Sequence, residues 1–145
     1  MLKLVAIALI VASCKDKAPS QKLSIIPSKP YGLLIFETKS CIYCKKLKKE
    51  LSGKEFSEFD IFWVDALGIK NLEQNLISGQ NLREKDLSKT LKVSQFPHLV
   101  FYDKGGQIKL EIKGYVNQKD LKCAMDFVKA DAKIPYLQYA REKCI

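Results

Sequence analysis

Apolar and polar positions change period several times along the chain, and each change marks an element. Leu33-Leu34-Ile35-Phe36 is an unbroken apolar run of strand length, as expected for a strand buried on both faces. Cys44, Leu47 and Leu51 then repeat at helical spacing, with Lys45, Lys46, Lys48 and Lys49 on the other faces. Phe59 to Asp65 (FDIFWVD) predicts a second buried strand, with Trp63 in the core or lining a pocket. Leu67 to Gly79 has no clean period and is expected to form a short helix and a loop. Leu87 and Leu91 predict a helix over Glu84 to Val93. His98 to Tyr102 is the third strand, Asp103-Lys104-Gly105-Gly106 a hairpin turn, and Gln107 to Lys113 the fourth strand. Two helices close the chain, Gln118 to Ala130 and about Pro135 to Lys143. No internal repeat appears. The order β-α-β-α-β-β-α predicts an α/β sandwich, a central mixed β-sheet flanked by helices with an extra one at the C-terminus.

Residues 1–30 follow a different pattern. Met1-Leu2-Lys3 is a basic start, Leu4 to Ala12 is apolar, and Ser13-Cys14 precedes the charged Lys15-Asp16-Lys17. That sequence of regions describes a secretory signal. Val11-Ala12-Ser13-Cys14 resembles the bacterial lipobox, which implies a signal peptide over 1–13 and lipidation of Cys14. The alternatives are a plain signal peptide in which Cys14 is incidental, or a short buried strand. Lys15 to Pro30 holds three prolines and four lysines, so residues 14–30 are expected to be a tether with Leu23, Ile25 and Ile26 as its docking residues. The folded domain is then expected over 31–145. The compartment would be the oxidising periplasm of a bacterium, with the lipid holding the chain to the inner or outer membrane.

Composition narrows the classes. A chain of 145 residues suits one domain, and a hydrophobic fraction of 47% with 7 Gly and 5 Pro excludes a disordered or collagen-like chain. No apolar run reaches the ~18 residues of a spanning helix, so a polytopic membrane protein is excluded. The net charge of +9 serves solubility, or attraction to anionic lipid beside an acyl anchor. No basic patch is interleaved with aromatics, and nucleic acid is not an expected partner.

The chemistry lies in Ser40-Cys41-Ile42-Tyr43-Cys44, between the first strand and its helix. Cys41 falls at the first exposed turn, where unsatisfied N–H groups and the positive helix end favour a thiolate. Lys39, Lys45 and Lys46 add weakly to that. Cys44 shares the stripe of Leu47 and Leu51 and is expected to be buried. One exposed, activated thiol and one sheltered thiol within reach suit dithiol exchange: Cys41 attacks a disulfide and Cys44 resolves the mixed disulfide. Zinc and iron–sulfur sites use the same spacing, but the chain offers one His and no second C-x-x-C, so no metal is expected.

The C-x-x-C after a buried strand, Gln95-Phe96-Pro97-His98 before an apolar strand, and Gly114 after the hairpin together resemble the thioredoxin superfamily over nearly all of 31–145. The phrases IFETKSCIYCKKL, FPHLVFYDKGGQ and KGYVNQKDL resemble periplasmic thioredoxin-like proteins with a C-x-Y-C motif, of the kind associated with sulfur oxidation. The resemblance implies a thioredoxin fold and a thiol–disulfide oxidoreductase without cofactor. It implies that Pro97 is cis, and that Phe96, Pro97 and Tyr43 meet the substrate, with the Phe96 backbone pairing to an extended segment. Three departures bear on redox poise: Ser40 stands where the family has Trp, Ile42-Tyr43 replaces Gly-Pro, and Ile35 replaces a buried acid. Glu37 is then either the proton acceptor for Cys44 or a solvated strand-end residue. His98 is either a proton carrier or copper ligand, or structural. The expected partners are periplasmic protein thiols and disulfides and a membrane redox protein supplying electrons, with reduction as the expected direction. A copper(I) metallochaperone using Cys41, Cys44 and His98 is the alternative function.

Cys123 and Cys144 lie in the two closing helices, each nine or ten residues from a turn at Lys133-Ile134-Pro135. Antiparallel helices would bring them level, about 15 Å from the turn at ~1.5 Å rise per residue. A structural disulfide is expected there, the alternatives being two unconnected thiols or a second redox pair.

Overall fold

Leu33, Leu34, Ile35 and Phe36 are all fully buried, and the strand containing them is the pivot of the fold. The computed structural model describes residues 22–73 and 77–145. Its elements are β1 (Lys22–Ser24), β2 (Tyr31–Glu37), α1 (Ile42–Leu51), β3 (Phe59–Asp65), β4 (Asn71–Glu73), β5 (Leu82–Arg83), α2 (Glu84–Thr90), β6 (His98–Asp103), β7 (Ile108–Lys113), α3 (Gln118–Ala130) and α4 (Tyr136–Lys143). The main sheet has the order β3-β2-β6-β7, with β2 parallel to β3 and antiparallel to β6. Alternation along β2 and β6 sends Leu33, Ile35, Leu99 and Phe101 to one face, against Leu47 and Leu51 of α1 and the apolar side of α3. Leu34, Phe36, Val100 and Tyr102 go to the other, against Ile25, Leu72 and Leu87. That second face is covered by α2 and the small sheet β1-β4-β5.

The expected signal segment 1–13, the expected lipid site Cys14 and residues 15–21 lie outside the described residues. The rest of the expected tether, 22–30, packs into the fold instead. Lys22–Ser24 pairs in parallel with Asn71–Glu73, and Ile25 is buried. The Tyr102 hydroxyl donates to the Ile25 carbonyl, and a Cβ at Gly32 would collide with the Tyr102 ring, so that ring occupies the space left by a missing side chain. Asp60 of β3 accepts the N–H groups of Ser28 (2.7 Å) and Lys29 (2.9 Å). Burial alone would raise the Asp60 carboxyl, but these hydrogen bonds outweigh it and hold the group below its ordinary range. Pro27 and Pro30 thus lie in a fixed entry segment, because Ile25 and two N–H groups find partners.

Two other expectations change. Within 67–79 the described chain forms a short strand, not a helix, since Leu72 alone is buried between exposed Asn71 and Glu73. The helix expected to Val93 stops at Thr90, because Lys92 adopts a left-handed conformation (φ 55°) and the Val93 N–H turns back to the Ser88 carbonyl.

The C-terminal hairpin is held by few groups. Asp131 (φ 47°) reverses the chain after α3, and α4 has no buried residue. Phe127 meets Tyr136 and Tyr139 edge-on, each at 5.3 Å. Cys123, buried in α3, is joined to Cys144 at the C-cap of α4, with Cα atoms 5.9 Å apart. Closing a loop of sequence separation 21 stabilises by roughly 3 kcal/mol. Cys144→Ser should therefore lower the urea unfolding free energy by about that amount, with amides of α4 losing hydrogen-exchange protection first. A loss below about 1 kcal/mol would mean that the aromatic contacts alone hold α4.

His98 opens β6 on the face opposite α1 and is fully buried, its ring edge-on to Phe36 at 6.0 Å. Neither ring nitrogen has a hydrogen-bond partner among the described residues. Burial lowers its pKa, Glu111 works against this and Lys113 with it. The folded chain therefore resists a proton that the unfolded chain accepts below about pH 6.5. Stability should be level above that pH and fall as pH drops below it, by no more than ~1.4 kcal/mol per pH unit for one proton. His98→Leu should remove this limb of the urea midpoint–pH profile, and persistence of the limb would assign it to other groups.

Candidate active site

The C-terminal ends of β2 and β3, the start of β6 and the end of β7 all lie at one edge of the main sheet, as the parallel and antiparallel pairings require. From that edge the chain leaves Glu37, turns through Thr38 (the Cys41 N–H donates to its carbonyl, 3.2 Å) and starts α1. Cys41 is the N-cap in an extended conformation, where no acidic side chain shares the first turn. Its sulfur accepts the Cys44 N–H at 3.0 Å. Cys44 is wholly buried while Cys41 is half-buried, and the two form a disulfide with Cα atoms 5.2 Å apart. The structure is thus the oxidised form of the pair.

The Phe96–Pro97 peptide bond is cis. The Gly114 N–H donates to the Pro97 carbonyl (2.8 Å), which fixes the turn after β7 against the proline turn. Sheet pairing begins at His98, so the main chain of Phe96 lies outside the ladder, while its ring packs into the α2-side core.

Tyr43 is 59% exposed between the cysteines, and its ring lies 5.8 Å from that of Tyr115. Tyr115 was not foreseen in the sequence. The Tyr115 hydroxyl donates to both Glu50 oxygens (2.7 and 2.8 Å), and the Lys46 ammonium lies 4.7 Å from its ring centre. The Glu50 hydrogen bond, then desolvation, raises the Tyr115 phenol above its ordinary pKa. Tyr115 follows the family-like Gly114 directly; that adjacency was the available signal. It ties α1 to the turn after β7 and backs Tyr43.

Glu37 pairs with Lys48 (2.8 Å), whose ammonium also sits 4.7 Å from the Trp63 ring centre. Its ion-pair partner is thus the lysine rather than Cys44. His98 is not brought to the cysteines: its side chain belongs to the opposite face of the sheet. Among the described residues, no three His, Cys, Asp or Glu side chains group as a metal centre needs. Among the described residues, a copper carrier would have only the two thiolates of Cys41 and Cys44 to work with.

Comparison with known proteins agrees with this layout. The thioredoxin-like domain model matches residues 21–129. No curated protein matches the chain significantly. Among solved structures, a thioredoxin-fold protein from Helicobacter pylori superposes with a TM-score of 0.68 at 21% identity, over 82% of this chain and 83% of that one. Spinach chloroplast thioredoxin f, long form, gives 0.54 at 15% identity, over 76% and 88%. Chlamydomonas reinhardtii thioredoxin f2 gives 0.52 at 16%, over 78% and 98%. These likenesses show an α/β thioredoxin fold, and the cysteine pair at disulfide distance supports thiol–disulfide oxidoreductase chemistry in general. The chain belongs to the thioredoxin-like domain family.

Proposed function

We propose that this protein is a periplasmic thiol–disulfide oxidoreductase, lipid-anchored to a bacterial membrane through Cys14, that reduces disulfides of protein substrates. The observation that carries the exchange chemistry is the asymmetry of the pair: a half-buried Cys41 capping α1 and a fully buried Cys44 one turn below. The N–H that meets Cys41 Sγ in the oxidised form is placed to meet its thiolate in the reduced form.

In the forward direction the Cys41 thiolate attacks one sulfur of the substrate disulfide. That bond breaks, and the second substrate sulfur leaves as a thiolate that takes a proton from solvent. Cys44 loses its proton and attacks Cys41 Sγ, breaking the mixed disulfide and releasing the first substrate sulfur. Two electrons pass from the dithiol to the substrate, and the Cys41–Cys44 disulfide is the product. A membrane dithiol protein returns two electrons by the same exchange. Tyr43 beside Cys41, with Phe96 and Pro97 at the same end of the sheet, forms the docking surface, and the Phe96 main chain outside the ladder is available to an extended segment.

The anchor and compartment rest on the basic–apolar–small–Cys pattern of residues 1–14 and on the charged residues that follow it. The absence of an acid in the first turn of α1 leaves a Cys41 thiolate unopposed and supports its role as the attacking sulfur, while the reducing direction is the part of the reading that the redox state in cells tests.

Insulin reduction by the purified chain should fall to background in Cys41→Ser. Cys44→Ala should accumulate mixed disulfides with partner proteins, seen on a non-reducing gel from cells. Absence of any adduct while Cys41 remains alkylatable would falsify the exchange mechanism. Trapping of Cys41 and Cys44 in cells should find them mainly reduced; a fully oxidised pair would reverse the proposed direction.

A further inference from the structure

The edge of the sheet that carries Cys41 also carries most of the large apolar side chains open to solvent. Ile42 and Tyr43 lie between the cysteines, 77% and 59% exposed. Leu67 and Ile69, 76% and 72% exposed, lie on the loop after β3. The Ala66 N–H donates to the Glu37 carbonyl (2.8 Å), which ties this loop to the strand that leads into Cys41. These four side chains therefore share one end of the molecule.

Charge around them is one-sided. Lys39, Lys45, Lys46 and Lys70 are exposed and form no ion pair among the described residues. Four acids at the same end have fixed partners, while Glu111 on β7 is exposed and forms no ion pair among the described residues. Glu37 is paired with Lys48, and Glu50 accepts the Tyr115 hydroxyl. Glu84 is buried and accepts the N–H groups of Asp65 (2.8 Å) and Lys70 (3.2 Å), while Asp65 accepts the Leu67 N–H (2.9 Å). What faces a partner is an apolar centre beside the attacking sulfur, within a rim of exposed lysines that have no ion-pair partner among the described residues.

We propose that the substrate of this site is an acidic, extended protein segment with an apolar residue next to its disulfide cysteine. This deepens the exchange function proposed above and rests on it. The apolar neighbour would cover Ile42 and Tyr43 and exclude water from the exchanging sulfurs, while carboxylates further along meet the four lysines. Exposed charges of this kind act mainly by steering encounter, so they favour the rate of capture and weaken with salt.

The test uses the reduced full chain and three oxidants: neutral hydroxyethyl disulfide and two synthetic disulfide-bridged peptides of equal length, one Glu-flanked and one Lys-flanked. At low ionic strength the Glu peptide should be reduced roughly tenfold faster than the Lys peptide. The ratio should approach one at about 1 M salt, where the Debye length is ~3 Å. The triple variant Lys39→Glu, Lys45→Glu, Lys46→Glu should invert the ratio, and any change in Cys41 reactivity cancels in that ratio. If hydroxyethyl disulfide is not reduced, the exchange function fails and the substrate class with it. If it is reduced while both peptides react equally at low salt, the substrate class alone is overturned. Equal peptide rates together with salt-sensitive adhesion to vesicles of anionic phospholipid would assign the lysines to a membrane surface instead.

Discussion

Four consecutive apolar side chains in one strand cannot be sheltered by a single layer, and β2 imposes that constraint on everything else. Leu33 and Ile35 require cover on one face, which α1 and α3 provide. Leu34 and Phe36 require cover on the other, which α2 and the entry segment around Ile25 provide. Each such side chain contributes about 1.5–3 kcal/mol when fully removed from water. The site inherits its place from this arrangement. The strand must end where its burial ends, and the chain then turns into α1 with Cys41 at the first position past the sheet edge. Parallel pairing with β3 and antiparallel pairing with β6 bring the Leu67 loop and Pro97 to the same edge without further design.

Around that edge the structure separates two jobs for lysine. Lys48 turns inward to Glu37 and Trp63 and fastens α1 across β2 and β3. Its neighbours on the helix, Lys45 and Lys49, stay in solvent, and Lys46 rests on the Tyr115 ring. Tyr115 does for the far side of α1 what Lys48 does for the near side, through Glu50. The helix that presents both cysteines is therefore braced on two flanks, and its one acid, Glu50, is used up in the bracing.

Long-period features were legible in the sequence, and short ones were not. The run Leu33–Phe36, the spacing of Cys44, Leu47 and Leu51, and the pattern of α3 each fix an element because several side chains must share one face. β1, β4 and β5 are each three residues or shorter, so a single buried residue such as Leu72 gives no period to detect. The entry segment read as a tether because prolines and lysines dominate it, whereas its attachment depends on Asp60 and Tyr102, distant in sequence. Within the site the cysteines and Pro97 stood out by motif. Tyr115 did not, since its role comes from three residues brought together by folding, and the burial of His98 follows from β6 lying inside the sheet rather than at its edge.

The two disulfides look alike at first, each with one buried and one half-exposed sulfur. They differ in which end of a helix they occupy. Cys41 caps the start of α1, where N–H groups converge, and Cys144 caps the end of α4, where carbonyl oxygens do. A thiolate released at Cys41 is welcomed by the local field, while one released at Cys144 is opposed by it, with Arg141 and Lys143 offsetting part of that. Helix polarity thus tells a disulfide meant to open from one meant to stay shut, and lets one chain carry both in the same solution.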